Sequence, residues 1–105
     1  SYNSTGTVIE REAATDVVKD YQLYQCYPNP FNPVTTIEYD LPIDAPITLK
    51  IYDDLGREVK TLVDEHQPGG HHQIRVDLSN QASGTYFYQM RANGYIKTKK
   101  LLLIK

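Results

Sequence analysis

At 105 residues and 40% hydrophobic content, the chain is long enough for one domain with its own core and too short for two. A net charge of −2, from 11 basic and 13 acidic residues, excludes nucleic-acid binding driven by bulk charge. The longest apolar run, Leu101 to Ile104, is far below the roughly 20 residues of a membrane-spanning helix. Nine tyrosines against two phenylalanines, with six prolines and six glycines, favour pleated strands separated by turns.

Residues 1–20 differ from the rest. The opening Ser1–Gly6 lacks the basic-then-apolar pattern of a secretory signal. Ile9, Ala13 and Val17 recur every four residues, a weak helical stripe, but the stretch reads equally as an added edge strand or a linker. We take it as a linker or the end of an upstream region, with the domain over residues 21–105. Cys26, the single cysteine, has no partner for an internal disulfide. It is expected to be a free thiol, and its replacement by serine to leave folding nearly unchanged.

Pro28-Asn29-Pro30-Phe31-Asn32-Pro33 is incompatible with a helix or a central strand. It reads as a rigid entry loop that Phe31 plugs onto the core, rather than as a docking loop. Strict alternation then sets Ile37, Tyr39 and Leu41 against Thr36, Glu38 and Asp40 in a strand that Pro42 ends. Ile47, Leu49 and Ile51 alternate with Thr48, Lys50 and Tyr52 in a second strand. Asp53-Asp54-Leu55-Gly56 is a turn. Glu58 to Val63 forms a third strand, in which Val59, Leu62 and Val63 break phase and predict a bulge. After the turn Gln67-Pro68-Gly69-Gly70, His72, Ile74 and Val76 alternate with Gln73, Arg75 and Asp77. Leu78 to Gly84 is a polar connection. Thr85 to Ala92 and Tyr95 to Ile104 form a hairpin about Asn93-Gly94, the strongest turn signal in the chain. In its second arm Ile96, Leu102 and Ile104 share one face, and Leu101 and Leu103 the other. The expected core is Ile37, Tyr39, Leu49, Ile51, Ile74, Val76, Tyr86, Tyr88 and Leu102. Short strands with turns every 8–12 residues define an all-β sandwich.

Charge is uneven along the chain. The first 90 residues hold every acid, whereas residues 91–105 carry Arg91, Lys97, Lys99, Lys100 and Lys105 with no acid. The basic strip fits an acidic receptor, or simply an edge strand that lysines protect from aggregation.

Other chemistry is sparse. His66, His71 and His72 are the only histidines, and adjacent His71 and His72 would face opposite sides of a strand, which makes a poor zinc site. Asp53 and Asp54 lack the spacing of a calcium loop and suit a turn. No nucleophile elbow, phosphate loop or paired-carboxylate motif frames a reaction, so neither catalysis nor a cofactor nor a small-molecule substrate is expected. A carbohydrate-binding module would need tyrosines such as Tyr24, Tyr52 and Tyr95 coplanar on one face. A plain spacer module is the third class.

Five motifs in order resemble the type A C-terminal sorting domain of the type IX (Por) secretion system. They are Tyr27-Pro28-Asn29-Pro30-Phe31-Asn32-Pro33 through Ile37; Leu49-Lys50-Ile51-Tyr52-Asp53 with Leu55-Gly56-Arg57-Glu58-Val59; Gly70-His71-His72; Ser83-Gly84-Thr85-Tyr86-Phe87-Tyr88; and Lys97-Thr98-Lys99-Lys100 through Lys105. Cys26 stands where the family commonly has Asn, and Val76-Asp77 where Trp-Asp is usual. The resemblance implies a seven-stranded immunoglobulin-like antiparallel β-sandwich that acts as a non-catalytic secretion address. It implies an upstream cargo that crosses the periplasm, outer-membrane translocon components that read the domain, and a sortase-like protease that removes it and leaves the cargo on the cell surface. Recognition is assigned by the resemblance to the last strands: Ser83, Gly84, Tyr86, Lys97, Lys99, Lys100, Leu101, Leu102, Leu103, Ile104 and Lys105.

Overall fold

The computed structural model describes residues 19–104, so the reading of residues 1–18 and the position of Lys105 lie outside the described residues. Seven strands and no helix occur among them: β1 Gln22–Leu23, β2 Val34–Leu41, β3 Ala45–Asp53, β4 Glu58–Gln67, β5 Gly70–Asp77, β6 Gly84–Ala92 and β7 Tyr95–Leu103. They form a three-stranded sheet, β1-β2-β5, and a four-stranded sheet, β4-β3-β6-β7, with every strand pair antiparallel. The core between the sheets holds Ile37, Tyr39 and Leu41 of β2, Ile47, Leu49 and Ile51 of β3, and Tyr86, Tyr88 and Met90 of β6. This is the expected all-β sandwich.

The alternation of β2 and β3 is realised as the sequence predicts, and Pro42 follows the last residue of β2. The phase break in β4 becomes two register shifts. Leu49 and Lys50 oppose Val63 and Thr61, while Ile51 and Tyr52 oppose Lys60 and Glu58. The skipped residues, Leu62 and Val59, pack against the core. Each bulge turns an out-of-phase apolar side chain inward. Asn93 and Gly94 both have positive φ, 48° and 86°, the geometry of a two-residue turn whose twist matches its strands.

At Pro68-Gly69 the chain changes sheets: Gln67 pairs with Ala45 in the four-stranded sheet, and Gly70 with Leu41 in the other. A Cβ on Gly69 would lie 3.1 Å from the backbone of Ile43, and the Gly69 N–H donates to Asp44 Oδ1 at 2.8 Å. Backbone yields less readily than a side chain. Gly69→Ala is therefore expected to lose about 1–3 kcal/mol in chemical denaturation, an overpacking cost; an unchanged urea midpoint would contradict the close approach.

Three expectations are corrected. Leu102 is only half-buried, whereas Leu101 and Leu103 are fully buried and Ile96 and Ile104 are exposed. Leu101 opposes Tyr86 and Leu103 opposes Gly84, so the odd positions of β7 face the interior. A run of three leucines reads alike in either phase, and only its partner strand sets the face. Ile74 is half-buried because β5 is an edge strand. Cys26 is a free thiol, as expected, but it is buried within the core cluster. Cys26→Ser thus buries a hydroxyl, and we expect a loss of about 1–3 kcal/mol, read as a lower melting temperature.

Candidate functional site: the terminal edge strand

β7 is an edge strand, continuously paired with β6 from Tyr95↔Ala92 to Leu103↔Gly84. Its even-numbered residues turn their backbone groups away from β6, towards the entry loop. The Lys100 carbonyl accepts from Gln25 Nε2 at 2.8 Å. The Leu102 N–H donates to Asn29 Oδ1 at 2.9 Å, and its carbonyl accepts from the Phe31 N–H at 3.0 Å. The Ile104 N–H donates to the Phe31 carbonyl at 2.9 Å. Phe31 thereby makes a parallel bridge to Leu103, and its ring is buried at 1% exposure.

The same loop is fastened to the other sheet. Tyr27 and Thr36 exchange two backbone hydrogen bonds at 2.9 Å, and Thr35 Oγ1 donates to the Pro28 carbonyl at 2.7 Å. Leu78 N–H donates to the Pro33 carbonyl at 3.1 Å. The prolines cannot donate to a ladder, so the loop pairs through the residues between them. Asn29 and Phe31 do this for β7, while Asn32 stays exposed. The entry loop thus bonds to both sheets, and the strand whose outer edge it covers is the terminal one.

The expected recognition residues do not converge on one patch. Ser83 and Gly84 lie at the Leu103 end of β7, and Lys97 lies about 20 Å away at a strand rise of 3.3–3.4 Å per residue. Tyr86 is a core residue whose hydroxyl donates to the Ala82 carbonyl at 2.6 Å. The lysines divide between faces. Lys97 and Lys99, opposite Met90 and Tyr88, share the interior-facing parity of Leu101, whereas Lys100 shares the outer face with Ile96, Thr98 and Leu102. The basic strip of the sequence is a two-sided fringe along an edge.

Next to Ser83 and Gly84 is a polar recess that also includes Asp53, Asp54 and Arg57. Both Asp53 oxygens are occupied: Oδ1 accepts from the N–H groups of Leu55 and Arg57 at 2.9 Å, and Oδ2 from Arg57 Nε at 2.8 Å. The Arg57 N–H foremost, with its guanidinium and the Leu55 N–H, holds the Asp53 carboxyl below its ordinary range. The carboxylate closes the turn, and no group of three or more potential metal ligands occurs among the described residues.

A second polar cluster, which the sequence reading missed, lies on the outer face of the three-stranded sheet. His71 Nδ1 is 2.5 Å from Asp40 Oδ1, and Nε2 is 2.6 Å from Glu38 Oε1. Tyr24 donates to the other Asp40 oxygen. The register Asp40↔His71 builds this contact, and the one legible signal was the shared outward parity of Glu38 and Asp40. His72 faces the opposite way and stacks on Tyr39 at 5.1 Å between centroids, as adjacent strand residues must. Asp40 above all, and then Glu38, raises the His71 pKa above its ordinary 6.5. A raised folded-state value means stability that is fully present below about pH 6.5 and is lost as pH climbs through the raised value. His71→Gln is therefore expected to lower the unfolding free energy in urea at pH 5.5 more than at pH 8.5, by less than about 1 kcal/mol because the ring is half-exposed. An equal loss at both pH values would contradict a charged His71.

Among the described residues, Tyr24, Tyr52 and Tyr95 have separate surroundings. Tyr95 stacks on Tyr21 at 5.4 Å, Tyr24 is tied to Asp40 and lies edge-on to His71, and Tyr52 belongs to the four-stranded sheet. A sugar-binding face has no support in this arrangement.

The chain is a small all-β sandwich whose entry loop bonds to its terminal strand. The family model described as "Secretion system C-terminal sorting domain" matches residues 25–105, and the chain belongs to that family, the sorting domains of type IX secretion. No curated protein sequence matches the chain. Among solved structures, one described as PorZ, "an essential bacterial surface component of the type-IX secretion system" of Porphyromonas gingivalis, is similar at a TM-score of 0.51 and 19% identity. The match covers 91% of this chain and 13% of that one, and at this identity it shows the fold alone. Membership of the family implies interaction with the type IX machinery and export to the cell surface or beyond. Such domains are generally non-catalytic.

Proposed function

We propose that residues 21–105 form a secretion address that carries an upstream cargo through the periplasm and across the outer membrane by the type IX system. Outer-membrane translocon components read its terminal strands, and a sortase-like protease then removes it as the cargo is attached to the surface. Residues 1–20 act as the linker. The reading-out residues are Ser83, Gly84 and the segment from Lys97 to Lys105, with Tyr86 and the loop Pro28–Pro33 holding them in place.

The observation that carries this reading is the lacing of β7. Two motifs some 70 residues apart, the entry loop and the terminal strand, meet in three hydrogen bonds between Asn29 or Phe31 and Leu102 or Ile104 and in the Phe31↔Leu103 bridge. A fold that only separates two neighbours needs no such fixture on its last strand. The test is a foreign reporter carrying the full chain in cells with the type IX machinery. Export is expected to persist when residues 1–18 are deleted and to stop, with the reporter held in the periplasm, when residues 83–105 are deleted. Export of the shorter fusion would overturn the proposal.

A further inference from the structure

We infer that the open half of β7, from Ile96 to Thr98, is a strand-pairing dock for an extended acidic segment of a partner protein. The inference rests on the sorting reading and adds the partner's chemistry. The outward backbone groups of β7 fall on even-numbered residues. From the Lys100 carbonyl to the Ile104 N–H they are occupied by Gln25, Asn29 and Phe31. At Ile96 and Thr98 the same period points an N–H and a C=O outward from each residue, and no backbone bond from any described residue reaches them. An unpaired edge of this kind is a template for an added strand.

The charges select the partner. β7 contains Lys97, Lys99 and Lys100 and no acid. A second β7 would bring lysine against lysine, so the edge rejects its own copy. The other edge of the sheet, β4, is acidic at Glu58, Asp64 and Glu65, but its bulges at Val59 and Leu62 break the straight ladder an added strand needs. An extended segment with acids at alternate positions satisfies both the backbone groups and the lysines. Ile96, 52% exposed and bordering a groove with Pro46, Ile47, Ala92 and Tyr95, offers an apolar contact at one end.

Thr98→Pro tests the dock. Its N–H points outward and has no partner among the described residues, so proline there removes no backbone hydrogen bond within them; the bond it does remove is the exposed one from Gln89 Nε2 to Thr98 Oγ1 at 3.0 Å. The probe is a seven-residue peptide alternating glutamate and valine, at low-millimolar concentration, with a lysine–valine peptide as control. In NMR spectra of the full chain the acidic peptide is expected to shift the Ile96 and Thr98 amides and slow their hydrogen exchange about tenfold, and the basic peptide to do neither. Thr98→Pro is expected to abolish these effects and to cut export of the reporter fusion by about tenfold or more. Unmoved amides, equal binding of both peptides, self-association in place of peptide binding, or a folded Thr98→Pro exported at the parent rate would each overturn the dock. If Thr98→Pro melts more than about 8 °C below the parent, Lys97→Glu with Lys99→Glu is the deciding variant, because it leaves the backbone intact. Its export at the parent rate overturns the dock, and a loss supports it. Loss of export on deleting residues 83–105, with Thr98→Pro still exported, defeats the dock alone; export of that deletion defeats the sorting reading itself.

Discussion

Phe31→Ala is expected to be the most damaging single change in the domain. The ring is 1% exposed and is the one large apolar side chain of the entry loop. Truncating a buried phenylalanine costs about 3–5 kcal/mol, through lost burial and the cavity left behind. Domains of this size have only about 5–15 kcal/mol to lose. The loss is also local in its consequence. Phe31 supplies the backbone N–H and C=O that hold Leu102 and Ile104, so unseating the ring frees the end of β7. We expect the melting temperature to fall by at least about 12 °C. The amides of Leu102 and Ile104 should lose hydrogen-exchange protection before those of β3. Asn32→Ala, on the exposed side of the same loop, is the control and should change stability by less than about 0.5 kcal/mol. A Phe31→Ala protein that melts within a few degrees of the parent would show that the ring does not seat the loop.

Tyr88→Phe is expected to be nearly as costly, although it removes a single atom. Tyr88 is fully buried, and its hydroxyl ties β6 to the segment that follows β1. It accepts the Cys26 N–H at 2.8 Å and donates to the Tyr24 carbonyl at 2.7 Å. Beyond Leu23 the Tyr24 N–H still donates to the Glu38 carbonyl of β2 at 3.0 Å, but the Tyr24 carbonyl and the Cys26 N–H turn to the Tyr88 hydroxyl. Phenylalanine fills the same space and strands a buried donor and an acceptor together, at about 1–3 kcal/mol for each group left unsatisfied. We expect a loss of about 2–4 kcal/mol in urea unfolding with an unchanged slope. Burial pushes the Tyr88 hydroxyl well above the ordinary tyrosine range, so it stays protonated and donating throughout the working pH range. A loss below about 0.5 kcal/mol would mean that water replaces the hydroxyl.

Local chemistry was enough to find most of the strands. Alternation placed β2 and β3, Asn93-Gly94 placed the β6–β7 hairpin, and the phase break of Val59, Leu62 and Val63 announced the irregularity of β4. The proline-rich loop and the seat of Phe31 were legible too, because proline excludes regular pairing and a lone aromatic in a polar loop has to be buried. The two-residue β1 was not legible, since its pairing to β2 carries no pattern of its own. The facing of β7 was hidden as well: four apolar residues in a row satisfy a core in either phase, and the choice of Leu101 and Leu103 is made by Tyr86 and Gly84 across the ladder. Burial of Cys26, the carboxylate–histidine cluster on β2 and β5, and the lacing of β7 all join residues more than 30 positions apart or depend on such a junction. Sequence therefore decided which segments are strands and which chemistries are missing a motif. Tertiary structure decided which half of the terminal strand's outer edge is closed and which stays open among the described residues, because hydrogen bonds between distant segments depend on how the two sheets are brought together and no local periodicity records that.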